Sequence, residues 1–71
     1  MKLNNRIRVL RAEKEVSQKE LAEEIGVSRQ TVNSIEKGKF NPSVITAIRM
    51  AKYFGVEVER VFEILEDGSD D

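Results

Sequence analysis

Between residues 29 and 37 the chain sets Arg29, Gln30, Asn33, Ser34 and Lys37 at helical spacings of three and four. On a helix such positions share one face. That face is made of donors and acceptors and carries almost no acid. An Arg guanidinium can fork onto the O6 and N7 of guanine, and a Gln amide can pair with N6 and N7 of adenine. The chemistry these residues suit is therefore recognition of base edges and phosphates rather than bond-making. An ordinary solvated helix face is the plain alternative.

The elements that would hold this face are legible on either side of it. Ser17 with Glu20 three residues on is a capping box, which starts a second helix. Leu21, Ala22 and Ile25 form its inner side, and Gly26 stops it in the left-handed conformation that glycine tolerates. Ser28 caps a third helix, whose inner residues are Val32 and Ile35 and which runs to Lys37 before Gly38. Two amphipathic segments meeting at Gly26-Val27-Ser28 make a helix-turn-helix layout.

The rest reads as helix as well. A first helix from Asn4 or Asn5 to Glu15 has Leu3, Ile7 and Leu10 as its inner stripe. After the loop Lys39-Phe40-Asn41-Pro42, Ser43 starts a fourth helix with Val44, Ala47, Ile48 and Ala51 inside, and Gly55 ends it. A fifth covers Glu57 to Glu66, with Val58, Val61, Phe62 and Leu65 on one face and a poor cap in Glu57. Val and Ile fall at helical rather than alternating spacing, so no strand is expected. The expected fold is all-α, with five helices over residues 1–66 and an acidic tail over 67–71.

Composition narrows the function. Seventy-one residues make one small domain that needs help to be stable, and neither Cys nor His is present. Disulfides, thiol chemistry and the commonest zinc ligands are thereby excluded, and self-association remains as the helper. No metal, cofactor or catalytic constellation is expected: nothing resembles a phosphate-cradling Gly loop or a nucleophile with its base. No apolar run approaches the ~18 residues of a membrane span, and no signal peptide opens the chain, so a cytoplasmic, nucleoid-associated protein is expected. The net charge of −1 hides an asymmetry: residues 1–39 carry nine Lys/Arg against six Glu, and residues 40–71 carry three against seven acids. The basic half holds the two-helix motif, and a local basic face sets the field near phosphates.

Ser17-Gln18-x-Glu20-Leu21-Ala22, Gly26-Val27-Ser28, Ile35-Glu36-x-Gly38 and Pro42-Ser43 together resemble the Cro and phage-repressor helix-turn-helix family, also called the xenobiotic-response-element family. The resemblance spans about residues 4 to 65. It implies a compact lambda-repressor-like domain with the third helix in the major groove. It also implies a sequence-specific regulator, usually a repressor, acting as a dimer on a near-palindromic operator. Arg29, Gln30 and Ser34 match positions that relatives use to read bases, with Asn33 at the edge of that face. Gln18 matches a residue that touches the DNA backbone. Lys19 shares the second helix's N-terminus, where free N–H groups favour phosphate. Lys37, Lys39 and Asn41 are further backbone candidates, and Thr31 either contacts phosphate or helps the helix start. The strongly acidic C-terminal half departs from the family's usual charge.

Several residues have structural readings instead. Ala22, Val27, Val32 and Ile35 belong between the two motif helices. Glu36 should not face phosphate, and Arg11 is its plausible partner. Arg6 and Arg11 are either flanking DNA contacts or paired with Glu. Tyr53 and Phe54 are read as core, and Phe40 as packed under its loop. Val61, Ile64 and Leu65 are read as a symmetric homodimer contact, since one half-site gives little affinity. Because antitoxins of toxin–antitoxin pairs share this fold, a toxin or other protein held by the acidic C-terminal part is the alternative partner.

Overall fold

The computed structural model describes residues 1–66. In chain order the elements are β1 (Lys2–Asn5), α1 (Ile7–Lys14), α2 (Gln18–Ile25), α3 (Arg29–Glu36), α4 (Val44–Phe54), α5 (Val58–Val61) and β2 (Phe62–Leu65). Among the described residues five helices are present, but the fold is not purely helical. β1 and β2 pair antiparallel, with Leu3 opposite Ile64 and Asn5 opposite Phe62. This corrects two expectations: α1 starts at Ile7, not at Asn4 or Asn5, and the last helix stops at Val61. Phe62 has φ −125° and ψ 141°, so the backbone is already extended there. The apolar pair Leu3–Ile64 supplies a cross-strand contact of the kind that stabilises sheets. Four-residue strands are too short to show an alternating pattern, and each depends on a partner from the other end of the sequence. The expected acidic tail, 67–71, lies outside the described residues.

Asn5 joins the sheet to the helices. Its Oδ1 accepts from the Ile7 N–H at 3.1 Å, and its Nδ2 donates to the Ile35 carbonyl at 3.0 Å. One side chain thus satisfies an orphan donor at the start of α1 and adds a second bond to the Ile35 carbonyl at the end of α3, which also accepts from the Gly38 N–H.

The local stop and start signals act as read. The Ser17–Glu20 capping box is complete, with Glu20 N–H to Ser17 Oγ at 3.0 Å and Ser17 N–H to Glu20 Oε1 at 3.1 Å. Ser28 and Ser43 cap α3 and α4 through the Thr31 and Thr46 N–H groups. Gly26 closes α2 with φ 77°.

The core lies where α1, α2, α3, α4 and α5 converge, around Ile7, Leu21, Ile35, Met50 and Val61. Each such side chain contributes about 1.5–3 kcal/mol on burial. Of the four residues expected inside α4, Ala47 and Ala51 do face the core, and Val44 and Ile48 do not. Met50 and Ala51 are buried, with Ala47 and Phe54 packed against them, whereas Val44, Ile45 and Ile48 stay exposed. Tyr53 and Phe54 are half-buried and meet edge to face, 5.4 Å between centroids. Among the described residues no helix is long and apolar enough to cross a membrane.

Candidate nucleic-acid interface

The α2–α3 pair is held close from inside by Leu21, Ala22, Ile25, Val32 and Ile35, all buried. Ala22 is small enough to let the two axes approach. Gly26 makes the turn, and a Cβ there would lie 3.2 Å from Arg49 Nη1. Arg49 Nη1 in turn donates to the Ile25 carbonyl at 3.3 Å, so α4 supports the end of α2.

Behind α3 lies a polar network. Arg11 Nε donates to Glu36 Oε2 at 2.7 Å and Arg11 Nη2 to Glu36 Oε1 at 3.2 Å. Gln18 Nε2 lies 3.2 Å from both Glu36 Oε1 and Asn33 Oδ1. Arg11 Nη1 also donates to the Val16 carbonyl at 3.2 Å. Every buried side-chain polar atom among the described residues has a hydrogen-bond partner. Such a satisfied network fixes geometry, because any shift of α3 against α1 and α2 breaks charge-assisted bonds.

The outer surface of α3 runs between two open clefts. One, of about 440 Å³, is lined by Gln18, Arg29, Gln30 and Asn33. The other, of about 330 Å³, is lined by Ser28, Gln30, Thr31, Ser34, Lys39 and Phe40. Gln30 lines both and so stands on the ridge between them. Arg29 and Gln30 are exposed, while Asn33 and Ser34 are half-buried.

The other sequence candidates divide. Asn33 turns its carbonyl inward to Gln18, leaving its N–H₂ group as the part that can face a ligand. Thr31 is bound into the start of α3, its Oγ1 2.8 Å from Ser28 Oγ. Lys37 lines a smaller cleft with Arg8, Arg11 and Gln18. Lys19, Lys39 and Asn41 are exposed. Arg6 and Arg11, the flanking candidates, are both paired: Arg6 Nη2 stands 3.8 Å from Glu63 Oε1, and Arg11 is held by Glu36. Exposed Arg8, which the sequence reading passed over, takes the place beside Lys37 instead. The signal was available, since Arg8 and Arg11 are three apart and Glu36 can neutralise only one of them. Val61 is fully buried, which removes it from any contact with a second chain, whereas Ile64 and Leu65 are exposed.

A helix-turn-helix family profile matches residues 7–61, which takes in α1 to α5. The chain belongs to this helix-turn-helix family. Among curated relatives it is 46% identical to the uncharacterized HTH-type transcriptional regulator MJ0272 of Methanocaldococcus jannaschii, over 92% of this chain and 97% of that protein. It is 34% identical to the cryptic phage CTXphi transcriptional repressor RstR of Vibrio cholerae, over 96% of this chain and 61% of the repressor. Among solved structures, a putative DNA-binding protein from Bacteroides fragilis superposes with TM-score 0.77 at 30% identity, covering 86% of this chain and 98% of that one. The restriction-modification controller protein C.AhdI of Aeromonas hydrophila superposes with TM-score 0.71 at 31% identity, covering 76% and 82% of the two chains. The family is one of transcriptional regulators and DNA-binding proteins, not of enzymes.

Proposed function

We propose that this regulator binds double-stranded DNA sequence-specifically as a homodimer, setting α3 into the major groove at each half of a near-palindromic operator, and that it acts as a repressor. The observation that carries the reading is the ridge of α3. Arg29 and Gln30 project from it, the clefts on both flanks are lined by polar side chains apart from Phe40, and the Arg11–Glu36–Gln18–Asn33 network braces it from behind. A rigid helix offering a fork donor and an amide is what direct base readout requires. Repression is favoured by the likeness to the CTXphi repressor and to the immunity repressor of Bacillus phage phi105, 33% identical over 86% of this chain.

Dimer formation is supported by apolar surface that the chain leaves uncovered. Val44, Ile45, Ile48, Ile64 and Leu65 are all exposed. Val44 and Ile64 line one open apolar cleft together with Leu3, Ala47, Val58 and Phe62. Exposed apolar patches of this kind on a small domain mark interaction surfaces. The toxin-holding alternative draws on an acidic segment that lies largely outside the described residues.

The test is a binding selection from a random duplex pool at near-physiological salt. The expected result is one near-palindrome whose half-sites lie about 34 Å apart, one DNA turn. Folded protein that enriches no sequence would overturn the reading.

A further inference from the structure

The loop after α3 carries an aromatic ring that the fold does not bury. Phe40 is 54% exposed, contrary to the expectation that it packs under its own loop. Its position is set by the end of α3. The Gly38 N–H donates to the Ile35 carbonyl at 3.0 Å and the Lys39 N–H to the Ser34 carbonyl at 3.0 Å, with Gly38 at φ 76°. These bonds turn the chain back beside the helix instead of letting it run on. Phe40 then lines the same cleft as Gln30 and Ser34, with the Lys39 side chain next to it. An apolar ring thus shares a wall with two of the side chains assigned to base edges, in a cleft otherwise lined by polar groups.

The major groove presents one apolar feature, the C5-methyl of thymine, and apolar side chains recognise it by contact. We propose that Phe40 is a specificity-determining residue of this regulator, its ring receiving a thymine methyl group adjacent to the bases faced by Gln30 and Ser34. The assignment rests on α3 being the reading helix. It adds a contact of a different chemistry from a different element, a loop residue reading by methyl burial while the helix reads by hydrogen bonds. Lys39, beside the ring, has the charge to neutralise a phosphate of the same nucleotide tract.

Uracil differs from thymine only in lacking that methyl group, so a uracil scan isolates the contact. Each thymine of the selected operator is replaced singly by uracil, and affinity is measured for the parent, Phe40→Ala and Phe40→Leu. In the parent, one symmetry-related thymine per half-site is expected to cost about three- to five-fold when its methyl is removed. Phe40→Ala is expected to bind the thymine operator more weakly and to be indifferent to uracil at that one position. Its responses elsewhere should stay as in the parent, and Phe40→Leu should retain part of the discrimination. Because the side chain is exposed, the variants are expected to fold, which their thermal unfolding checks independently. A parent indifferent to every uracil, an operator without thymine in the half-site, or an unchanged scan in Phe40→Ala each overturns the Phe40 assignment while leaving α3 as reader. A selection that enriches no duplex overturns both.

Discussion

Arg11 and Glu36 meet fork to fork: two parallel hydrogen bonds, 2.7 and 3.2 Å long, join α1 to the last turn of α3. The two side chains are 16% and 8% exposed. The pair therefore sits in low dielectric, and Glu36 also accepts from Gln18. An acid that would repel phosphate is turned inward and made into a strut.

Breaking that strut on one side leaves a buried charge without its partner. Arg11→Ala is expected to lower unfolding stability by about 3–5 kcal/mol, a large part of what a small domain has. Glu36→Leu in the Arg11→Met background should recover much of the loss, since replacing a whole buried pair by apolar residues is often near neutral. Urea unfolding of the single and double variants measures this. A double variant whose loss is the sum of the Arg11→Met and Glu36→Leu losses would show that the pair is not coupled.

Glu15 closes α1 with φ 60° and ψ 47°, the only non-glycine residue with positive φ among those described. Left-handed backbone costs a side-chain-bearing residue about 1–2 kcal/mol. Glu15→Gly is thus expected to raise stability by about 1 kcal/mol, seen as a higher melting temperature. The reverse change at Gly26, Gly26→Ala, should lower it by about 1–2 kcal/mol. There the φ of 77° is compounded by a Cβ pressed 3.2 Å from Arg49 Nη1. At Gly55, with φ 70° and open space around the missing Cβ, the loss should be smaller.

Reading and positioning residues should separate in binding titrations. Arg29→Ala and Gln30→Ala are each expected to cost about 1–3 kcal/mol and to relax preference at one base position. Lys39→Ala should weaken binding evenly across sequences and reduce the slope of log affinity against log salt by about 1. Fluorescence anisotropy over a salt series distinguishes the two. A Gln30→Ala variant with the parent's base preferences would remove Gln30 from the reading set.

The exposed strand residue Ile64 lies opposite Leu3 and next to the apolar cleft. Ile64→Lys is expected to shift the protein toward monomer in equilibrium sedimentation and to weaken operator binding more than half-site binding. Val61→Ala, by contrast, acts on the core and should lower stability without changing the association constant of the folded fraction.

Tyr53 holds its proton above its ordinary pKa of 10.0, because burial desolvates the phenolate and because Glu24 and Glu20 are negative nearby. The unfolded chain releases that proton first. The contribution is therefore intact below pH 10 and is lost as pH climbs through the raised folded value. Tyr53→Phe should flatten this alkaline loss, read as the difference in melting temperature between the two proteins from pH 8 to 11.

The parts of this fold written in short-range signals were legible. Ser17, Glu20, Gly26, Ser28 and Gly38 act on neighbours within a turn, so the two motif helices and the orientation of Arg29 and Gln30 followed from spacing alone. That Glu36 turns away from phosphate was legible from its charge, while Arg11 as its partner was one of two readings the spacing left open. The strands were not, because Leu3 and Ile64 find each other only after everything between them has packed. Nor was the whole inner face of α4. Both of its sides are apolar, so periodicity placed Ala47 and Ala51 inside but could not choose between Val44 with Ile48 and Met50. The choice is made by α2 and α5, against which α4 packs.

The ladder between Lys2–Asn5 and Phe62–Leu65 also sets an order of events during synthesis. Local contacts form early, and pairings between distant segments wait for their second partner. On a ribosome, α2 and α3 can close on each other while the rest is still being made. β1 cannot pair until Leu65 has emerged, and that same stretch carries Ile64. A nascent chain therefore completes the α2–α3 pair before the strand edge that carries Ile64, so any association through that edge follows the folding of the two motif helices.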